Sequence, residues 1–159
     1  MWMNLKAFEY DKVQLNHLEL QREGIIMRGA FVDRVHEENF ADLVKEWGSL
    51  EEIDCYWRSL LYIISGNENL FTNRSAIYSI HSREILSEKW GVLPLSGGEE
   101  RLLLLAYVLF TNLSFYESVG GANENISIID IFSVLDDRSY KLAKNALDVR
   151  FNKMSFDEI

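Results

Sequence analysis

Residues 96–113 read SGGEERLLLLAYVLFTNL, and this stretch predicts the helix on which the rest of the fold depends. Ser96 and Glu99 have the spacing of a capping box, in which the serine oxygen accepts a first-turn amide and the glutamate reaches back. No residue from 102 to 110 is charged, so the helix has no polar stripe and needs other helices around it. Its apolar run is shorter than the roughly 20 residues that cross a membrane. We therefore expect a central core helix over 97–113.

Composition indicates one globular domain with an acidic surface. The chain has 159 residues, of which 48% are hydrophobic and 13% aromatic, enough for a sizeable core. Its formal net charge of −9 argues against direct binding to nucleic acid or to an anionic membrane, because both require a basic patch. A basic protein is the partner that this charge favours. Cys55 is the only cysteine, so an internal disulfide is excluded and we expect a cytoplasmic protein.

Periodicity predicts a second long helix over residues 34–47. Asp33 has the side chain of an N-cap, and Gly48 favours a left-handed helix end. Between them, apolar residues recur every three or four positions, as on the buried face of an amphipathic helix. These apolar residues are Phe40, Leu43, Val44 and Trp47.

A third helix is predicted directly afterwards, over residues 50–65. Ser49 and Glu52 repeat the capping-box spacing, a broad apolar face follows, and Gly66 ends the helix. Inside such a packed helix the Cys55 thiol behaves as a small hydrophobic group rather than as a nucleophile. Because the turn between the two helices is short, we expect an antiparallel hairpin that packs against the central helix.

The whole pattern predicts an all-α fold, a single compact multi-helix domain over residues 29–152. An N-terminal arm over 1–28 precedes this domain, and neither helical nor strand periodicity prevails in it. A polar tail over 153–159 is expected to fray. The shorter predicted elements before residue 126 are a helix or strand over 75–80, a helix over 81–90 and a loop over 120–125. After them, Ser127 with Asp130 is expected to start a helix over 127–135, and Asp136 or Asp137 to cap a last helix.

The most distinctive polar feature is an acidic segment over residues 33–54, where eight acids and two bases give a local charge balance of −6. Glu38, Asp42 and Glu46 follow one face of the predicted helix, where each like-charged pair costs roughly 0.2–0.5 kcal/mol. A stripe of like charges that destabilises its own helix is expected to bind a partner. The alternative is that these acids form a solvated face that confers solubility. The candidate partner-binding residues are Glu37, Glu38, Asp42, Glu46, Glu51 and Glu52.

The sequence contains no clear catalytic or metal-binding pattern. His17, His36 and His81 are too far apart for a helical metal pair, and one cysteine is too few for a structural zinc site. The two glycines before the central helix are followed by acids, where a phosphate-binding loop has a lysine. We therefore expect no enzyme activity, cofactor or metal. The alternative is a small-molecule or active site near Arg58 and the residues Asn67, Glu68 and Asn69.

Three segments carry a resemblance to a known group of proteins. They read YIISGNENL at 62–70, RLLLLAYVLFTNL at 101–113 and ALDVRFN at 146–152. Over about residues 33–152, the chain resembles an uncharacterised family of small helical proteins from Firmicutes and their phages. The resemblance implies a phage or mobile-element setting, and it implies no activity and no catalytic residues.

These observations lead to a functional hypothesis. A row of carboxylates on a small helical protein can occupy a groove built for nucleic-acid phosphates and can accelerate encounter with it. The expected function is inhibition of a nucleic-acid-binding defence protein, such as a CRISPR effector. The alternative without catalysis is a structural homodimer whose subunits meet through exposed aromatic side chains.

Overall fold

The computed structural model describes residues 30–117 and 123–156, which are mainly helical and confirm the all-α prediction. The α-helices are α1 (Arg34–Trp47), α2 (Cys55–Ser65), α3 (Glu68–Thr72), α4 (Arg74–Ile77), α5 (Gly97–Thr111), α6 (Ile128–Ser133) and α7 (Asp137–Arg150). Short 3₁₀ helices cover Leu50–Glu52 and Ser87–Val92. Two antiparallel strand pairs complete the fold, β1 (Tyr78–Ser79) with β2 (Glu84–Ile85) and β3 (Phe115–Glu117) with β4 (Asn123–Asn125).

Helix α2 lies at the centre of the packing. Every residue from 59 to 65 is buried, and α2 contacts α1, α3, α5 and α7. The helix predicted to be central, α5, packs along α2 and also contacts α3, α6 and α7, but it is less completely buried than α2. Leu104 and Val108 on α5 are half-buried, although their stretch contains no charge. The fold therefore has a central apolar helix, but that helix is α2, because an uncharged sequence does not distinguish an enclosed helix from one with a half-exposed apolar side.

The predicted cap of α5 is confirmed in detail. The Ser96 backbone N–H donates to Glu99 Oε2 at 2.8 Å, and the Glu99 N–H donates to Ser96 Oγ at 3.4 Å. The helix ends at Thr111 rather than at residue 113, because Asn112 adopts the left-handed conformation with φ of 58°. Asparagine tolerates this conformation better than most residues with a side chain.

Helix α1 has the predicted bounds and caps. The Asp33 carboxylate accepts the His36 backbone N–H at 2.8 Å, and Gly48 ends the helix with φ of 108°. That value lies in the region where glycine is favoured because it has no Cβ. A side chain at position 48 would also approach the Glu52 carboxylate, 2.9 Å from an ideal Cβ.

Helix α2 begins five residues later than predicted. Ser49 makes no side-chain capping bond, whereas the Asp54 carboxylate accepts the amides of Tyr56 and Trp57 at 3.0 and 2.9 Å. Between these two candidate caps, Ile53 is extended and fully buried, which interrupts the helical path. Cys55 is consequently the first residue of the helix and not a residue one turn inside it.

The segment between α3 and α5 differs from its prediction. Residues 75–80 contain both the end of α4 and strand β1, so each of the two predicted alternatives is partly present. The helix predicted over 81–90 is wrong in its first half, where β2 lies, and its second half is a 3₁₀ helix. The Ile77 carbonyl explains the difference, because it accepts both the Leu86 backbone N–H at 2.8 Å and the Trp90 indole N–H at 3.2 Å.

The caps of the last two helices agree with their predictions. Ser127 accepts the amide of Asp130 at 3.3 Å before α6, which ends at Ser133 and not at residue 135. Asp136 accepts the amide of Ser139 at 2.7 Å before α7. The loop predicted over 120–125 is wrong for Asn123–Asn125, which form β4, and its first three residues lie outside the described residues.

Gly66 allows α2 and α7 to approach each other. Its φ of −83° is accessible to any residue, so the glycine is not required by the backbone conformation. A Cβ at this position would instead overlap the Leu142 side chain of α7, 2.8 Å from Leu142 Cδ2 and closer to Cδ1. The missing side chain is therefore a packing requirement.

The two predicted terminal segments differ in how much of them the structure describes. The arm over 1–28 lies outside the described residues. In the tail, the Phe156 ring stacks on Phe40 with centroids 5.2 Å apart and lies 5.8 Å from Phe31. Residues up to 156 thus contribute to an aromatic cluster with Tyr62 of α2.

Candidate functional site

The six predicted partner-binding acids lie on α1 and on the 3₁₀ helix after it. Five of these side chains are exposed, and Glu37 is half-buried. We call this set of six the acidic face: Glu37, Glu38, Asp42, Glu46, Glu51 and Glu52. Every carboxylate in it remains accessible to a partner.

The stripe on α1 is less negative than its sequence indicates, because each of its three acids has a cationic partner. The ion pairs are Arg34–Glu38 at 2.7 Å, Lys45–Asp42 at 3.3 Å and Arg74–Glu46 at 3.2 Å. Exposed pairs of this kind stabilise a protein by only about 0–1 kcal/mol, so a partner can displace them at little cost. Within the described residues, Glu37, Glu51 and Glu52 form no ion pair.

Arg138 of α7 brings a further positive charge to the start of α1. The Arg138 guanidinium donates to Asp33 Oδ2 at 2.6 and 2.9 Å and to the Gly66 carbonyl at 2.7 Å. Burial alone would raise the pKa of Asp33, but the hydrogen bonds from His36 N–H and Arg138 outweigh it and lower that pKa. Counting Arg74 and Arg138, the charge balance of the 33–54 region is −4 rather than −6.

The alternative site near Arg58 and Asn67, Glu68 and Asn69 is not assembled. Arg58 lines a cavity with Leu50 and the C-terminal segment, whereas the three polar residues line a different groove near α5. Arg58 lies in the first turn of α2, whereas Asn67 lies beyond the end of that helix, which is about 10 Å further along its axis. Arg58 donates to the Leu50 carbonyl at 3.2 Å, and its buried Nε has no partner in the described part of the chain. The structure therefore does not bring Arg58 together with Asn67, Glu68 and Asn69 in one cavity.

The asparagines of that groove have structural roles. Asn67 accepts the Leu70 amide at 3.0 Å and caps α3, and Asn69 donates to the Pro94 carbonyl at 2.9 Å and to Glu99 at 3.0 Å. Burial would raise the pKa of Glu99, but hydrogen bonds from Ser96 and Asn69 outweigh it and lower that pKa. Because these hydrogen bonds keep the Glu99 carboxylate ionised, it has no proton to donate near neutral pH. The geometry therefore favours a structural role for Glu99, which is to fix α3 to α5.

The buried histidine is also fully engaged. His36 Nδ1 accepts the Val32 backbone N–H at 3.2 Å, so its Nε2 carries the proton and donates to the Tyr62 carbonyl at 2.9 Å. Burial lowers the pKa of His36 to about 4. A neutral imidazole with both nitrogens occupied cannot bind a metal or act as a base without opening the core.

The described residues contain neither a metal-binding cluster nor a membrane-spanning helix. Across 30–117 and 123–156, no three side chains of histidine, cysteine, aspartate or glutamate lie together as a metal site would require. In the same ranges, no helix is long and apolar enough to cross a membrane.

The comparison with protein families gives one match. The model of DUF6075, a family of unknown function, matches residues 27–159. The chain belongs to DUF6075. The resemblance to an uncharacterised family is thereby confirmed at this level. No curated protein and no solved structure matches the chain. Membership of DUF6075 carries no known activity, so the function of this chain has to be argued from its surface.

Sequence reasoning missed two arginines of this DUF6075 chain, one that pairs with Glu46 of the acidic face and one that pairs with Asp33 beside it. Arg74 lies 28 residues from Glu46, and Arg138 lies 105 residues from Asp33. No local pattern connects residues at such separations, so only the packing of α4 and α7 could identify them. The two arginines reduce the negative charge at and beside the face, but none of the described residues forms an ion pair with Glu37, Glu51 or Glu52.

Proposed function

We propose that the chain is a non-enzymatic, cytoplasmic interaction protein of phage origin, which inhibits a basic nucleic-acid-binding host protein through its acidic face. The observation that supports the proposal is the accessibility of all six acids on one helix and the turn after it. The net charge of −9 adds long-range attraction toward a basic groove. A CRISPR effector, whose basic channel holds nucleic acid, is the kind of target that fits.

The ion pairs divide the acidic face into two functional groups. Glu37, Glu51 and Glu52 have no cationic partner among residues 30–117 and 123–156, so they can meet the partner directly. The paired acids must first exchange an arginine or lysine of their own chain for one of the partner. We therefore expect the unpaired acids to contribute most of the binding free energy, because each can form an ion pair with the partner without first breaking one in its own chain.

A structural homodimer is the second candidate function. Ile129, Val134 and Tyr140, on and beside α6 and α7, are 79%, 57% and 49% exposed. Large apolar side chains that remain accessible together are the usual composition of an interface core. Such a dimer would respond weakly to salt, whereas a complex formed through carboxylates weakens steeply as ionic strength rises.

The proposal is tested by capture of partners from a bacterial host lysate. The test variant is Glu37→Gln/Glu51→Gln/Glu52→Gln, and the matched control is Glu84→Gln/Glu88→Gln/Glu100→Gln, which removes three exposed acids elsewhere. We expect the wild type and the control to capture a basic nucleic-acid-binding protein at 50 mM salt, to lose it by 300 mM, and to displace nucleic acid from it. The test variant should fail at both salt concentrations.

Equal capture by all three proteins would show that the acidic face is only a solvated surface. A concentration-dependent dimer that is unaffected by salt, without any basic partner, would favour the homodimer instead. Analytical ultracentrifugation of the same samples distinguishes these outcomes.

A further inference from the structure

A cavity of about 660 Å³ lies beside α4 and the β1–β2 pair and shares one lining residue, Glu46, with the acidic face. Its volume is within the roughly 300–1,000 Å³ that small-molecule sites occupy. Leu86 and Ile80 supply apolar lining. The polar groups on which the argument depends are Glu46, Arg74, Ser75, Tyr78, Ser79 and Lys89.

The Tyr78 hydroxyl is the most unusual group in this lining. Tyr78 is only 3% exposed, and its buried oxygen has no hydrogen-bond partner among the described residues. Buried phenols nearly always have a partner, because leaving the hydroxyl unpaired costs free energy. Burial, and secondarily the Glu46 carboxylate, raise the pKa of Tyr78, so the group stays protonated and can donate. A donor of this kind in a cavity wall points to a ligand acceptor.

The charges around the cavity favour an anionic ligand. The one carboxylate in the lining, Glu46, already accepts from Arg74. The Arg74 guanidinium is held in place, because it also donates to the Phe71 carbonyl at 3.0 Å and lies 4.4 Å above the Phe71 ring. Lys89 is exposed and has no ion pair in the part of the chain described here. Available donors thus outnumber available acceptors.

The backbone around the cavity is fixed before any ligand arrives. Tyr78 pairs with Ile85 across β1 and β2, and the Ile77 carbonyl holds both Leu86 and Trp90. Ser79 Oγ accepts the Ser82 amide at 3.2 Å, which leaves its hydroxyl hydrogen available to another acceptor. Because this wall is already ordered, the protein loses little conformational entropy when a ligand binds.

We propose that this cavity binds a small organic anion, whose carboxylate or phosphate group accepts a hydrogen bond from the Tyr78 hydroxyl and pairs with Lys89. The proposal goes beyond the acidic face and does not depend on it. Glu46 is the residue that belongs to both, so it is left unchanged in both experiments. Failure of one proposal therefore leaves the other standing.

The test is a titration of the full chain with inorganic phosphate, glycerol 3-phosphate and succinate, followed by thermal unfolding and by amide NMR shifts of residues 74–89. We expect a saturable response to at least one phosphate probe or to succinate, which identifies the anionic group preferred. Tyr78→Phe and Lys89→Gln should each weaken binding at least about tenfold, as expected for a lost charge-assisted hydrogen bond or ion pair. Tyr140→Phe and Lys144→Gln, at exposed positions of α7, are the matched controls.

The proposal also predicts the thermal stability of the Tyr78→Phe variant without ligand. Because the variant removes an unpaired buried hydroxyl, its Tm should equal or exceed the wild-type Tm by up to a few degrees. Unchanged binding by Tyr78→Phe and Lys89→Gln, or no saturable response to any of the three probes, overturns the proposal. Lys89 is exposed, so its variant remains informative even if the tyrosine variant unfolds.

Discussion

His36 shows how one buried side chain can make stability depend on pH. Its imidazole is fully buried, and its two nitrogens hold the Val32 amide and the Tyr62 carbonyl. Protonation would place a second donor against the Val32 N–H and a charge beside the rings of Phe31 and Tyr62. Protonation is therefore unfavourable in the folded state, and burial lowers the pKa of His36 from 6.5 to about 4.

The first prediction follows from the sign of this shift. In the unfolded chain the histidine takes up its proton near pH 6.5, so its stabilising contribution is complete above that value and is lost as the pH falls toward 4. The free energy of unfolding should fall by about 2 kcal/mol between pH 6.5 and 5, at up to about 1.4 kcal/mol per pH unit. Asp33 and Glu99, with lowered pKa values, add to the loss only below about pH 4.5.

Urea unfolding at pH 7 and at pH 5 measures this effect. His36→Gln cannot be protonated, so it should be less stable at pH 7 and nearly insensitive to pH over this interval. The exposed His81 provides the control, and His81→Gln should retain the wild-type fall. Parallel pH dependence in the wild type and His36→Gln would contradict the assignment.

At the scale of elements, the start of α2 gives the second prediction. Asp54 caps this helix by accepting two amides, whereas Ser49 makes no capping bond. Asp54→Ala should therefore lower the free energy of unfolding by about 1 kcal/mol, the usual value of an N-cap. Ser49→Ala, the change that the sequence pattern marks as damaging, should have almost no effect. Equal losses in the two variants, measured by urea unfolding, would place the helix start at Ser49 after all.

The elements also show what local sequence can predict. The caps at Asp33, Ser96 and Ser127 were predicted because the capping group and its amide lie within three residues. The late start of α2 could not be predicted, since two caps compete there and the burial of Ile53 decides between them. Strand β2 could not be predicted either, because it exists only through its pairing with β1.

At the scale of the whole molecule, the third prediction compares neighbouring leucines of α5. Leu105 is fully buried and Leu104 is half-buried. Leu105→Asp places an unpaired charge in the core, at a cost of several kcal/mol that approaches a total stability of about 5–15 kcal/mol. It should abolish cooperative unfolding in circular dichroism, whereas Leu104→Asp should fold with reduced stability. Comparable damage at both positions would show that α5 is enclosed on all sides.

In the candidate binding surfaces too, local sequence predicts some residues, whereas others are brought in by long-range packing. The six acids of the acidic face could be named from the sequence, since helical spacing and polarity place them outside. The pairing of Glu46 with Arg74, and of the neighbouring Asp33 with Arg138, could not be predicted, because both arginines come from distant helices. The cavity at Tyr78 left no local signal, since a tyrosine in an apolar stretch usually belongs to a core whose hydroxyl is satisfied.

The contact between Gly66 and Leu142 has a consequence for how the sequence can change over time. Because a Cβ at position 66 would overlap the leucine side chain, substitutions at the two positions are not independent. A DUF6075 relative that has acquired alanine at 66 should carry a smaller residue than leucine at 142, and the smaller residue should have arisen first. The pair is thus expected to covary across the family, with a fixed order of historical steps.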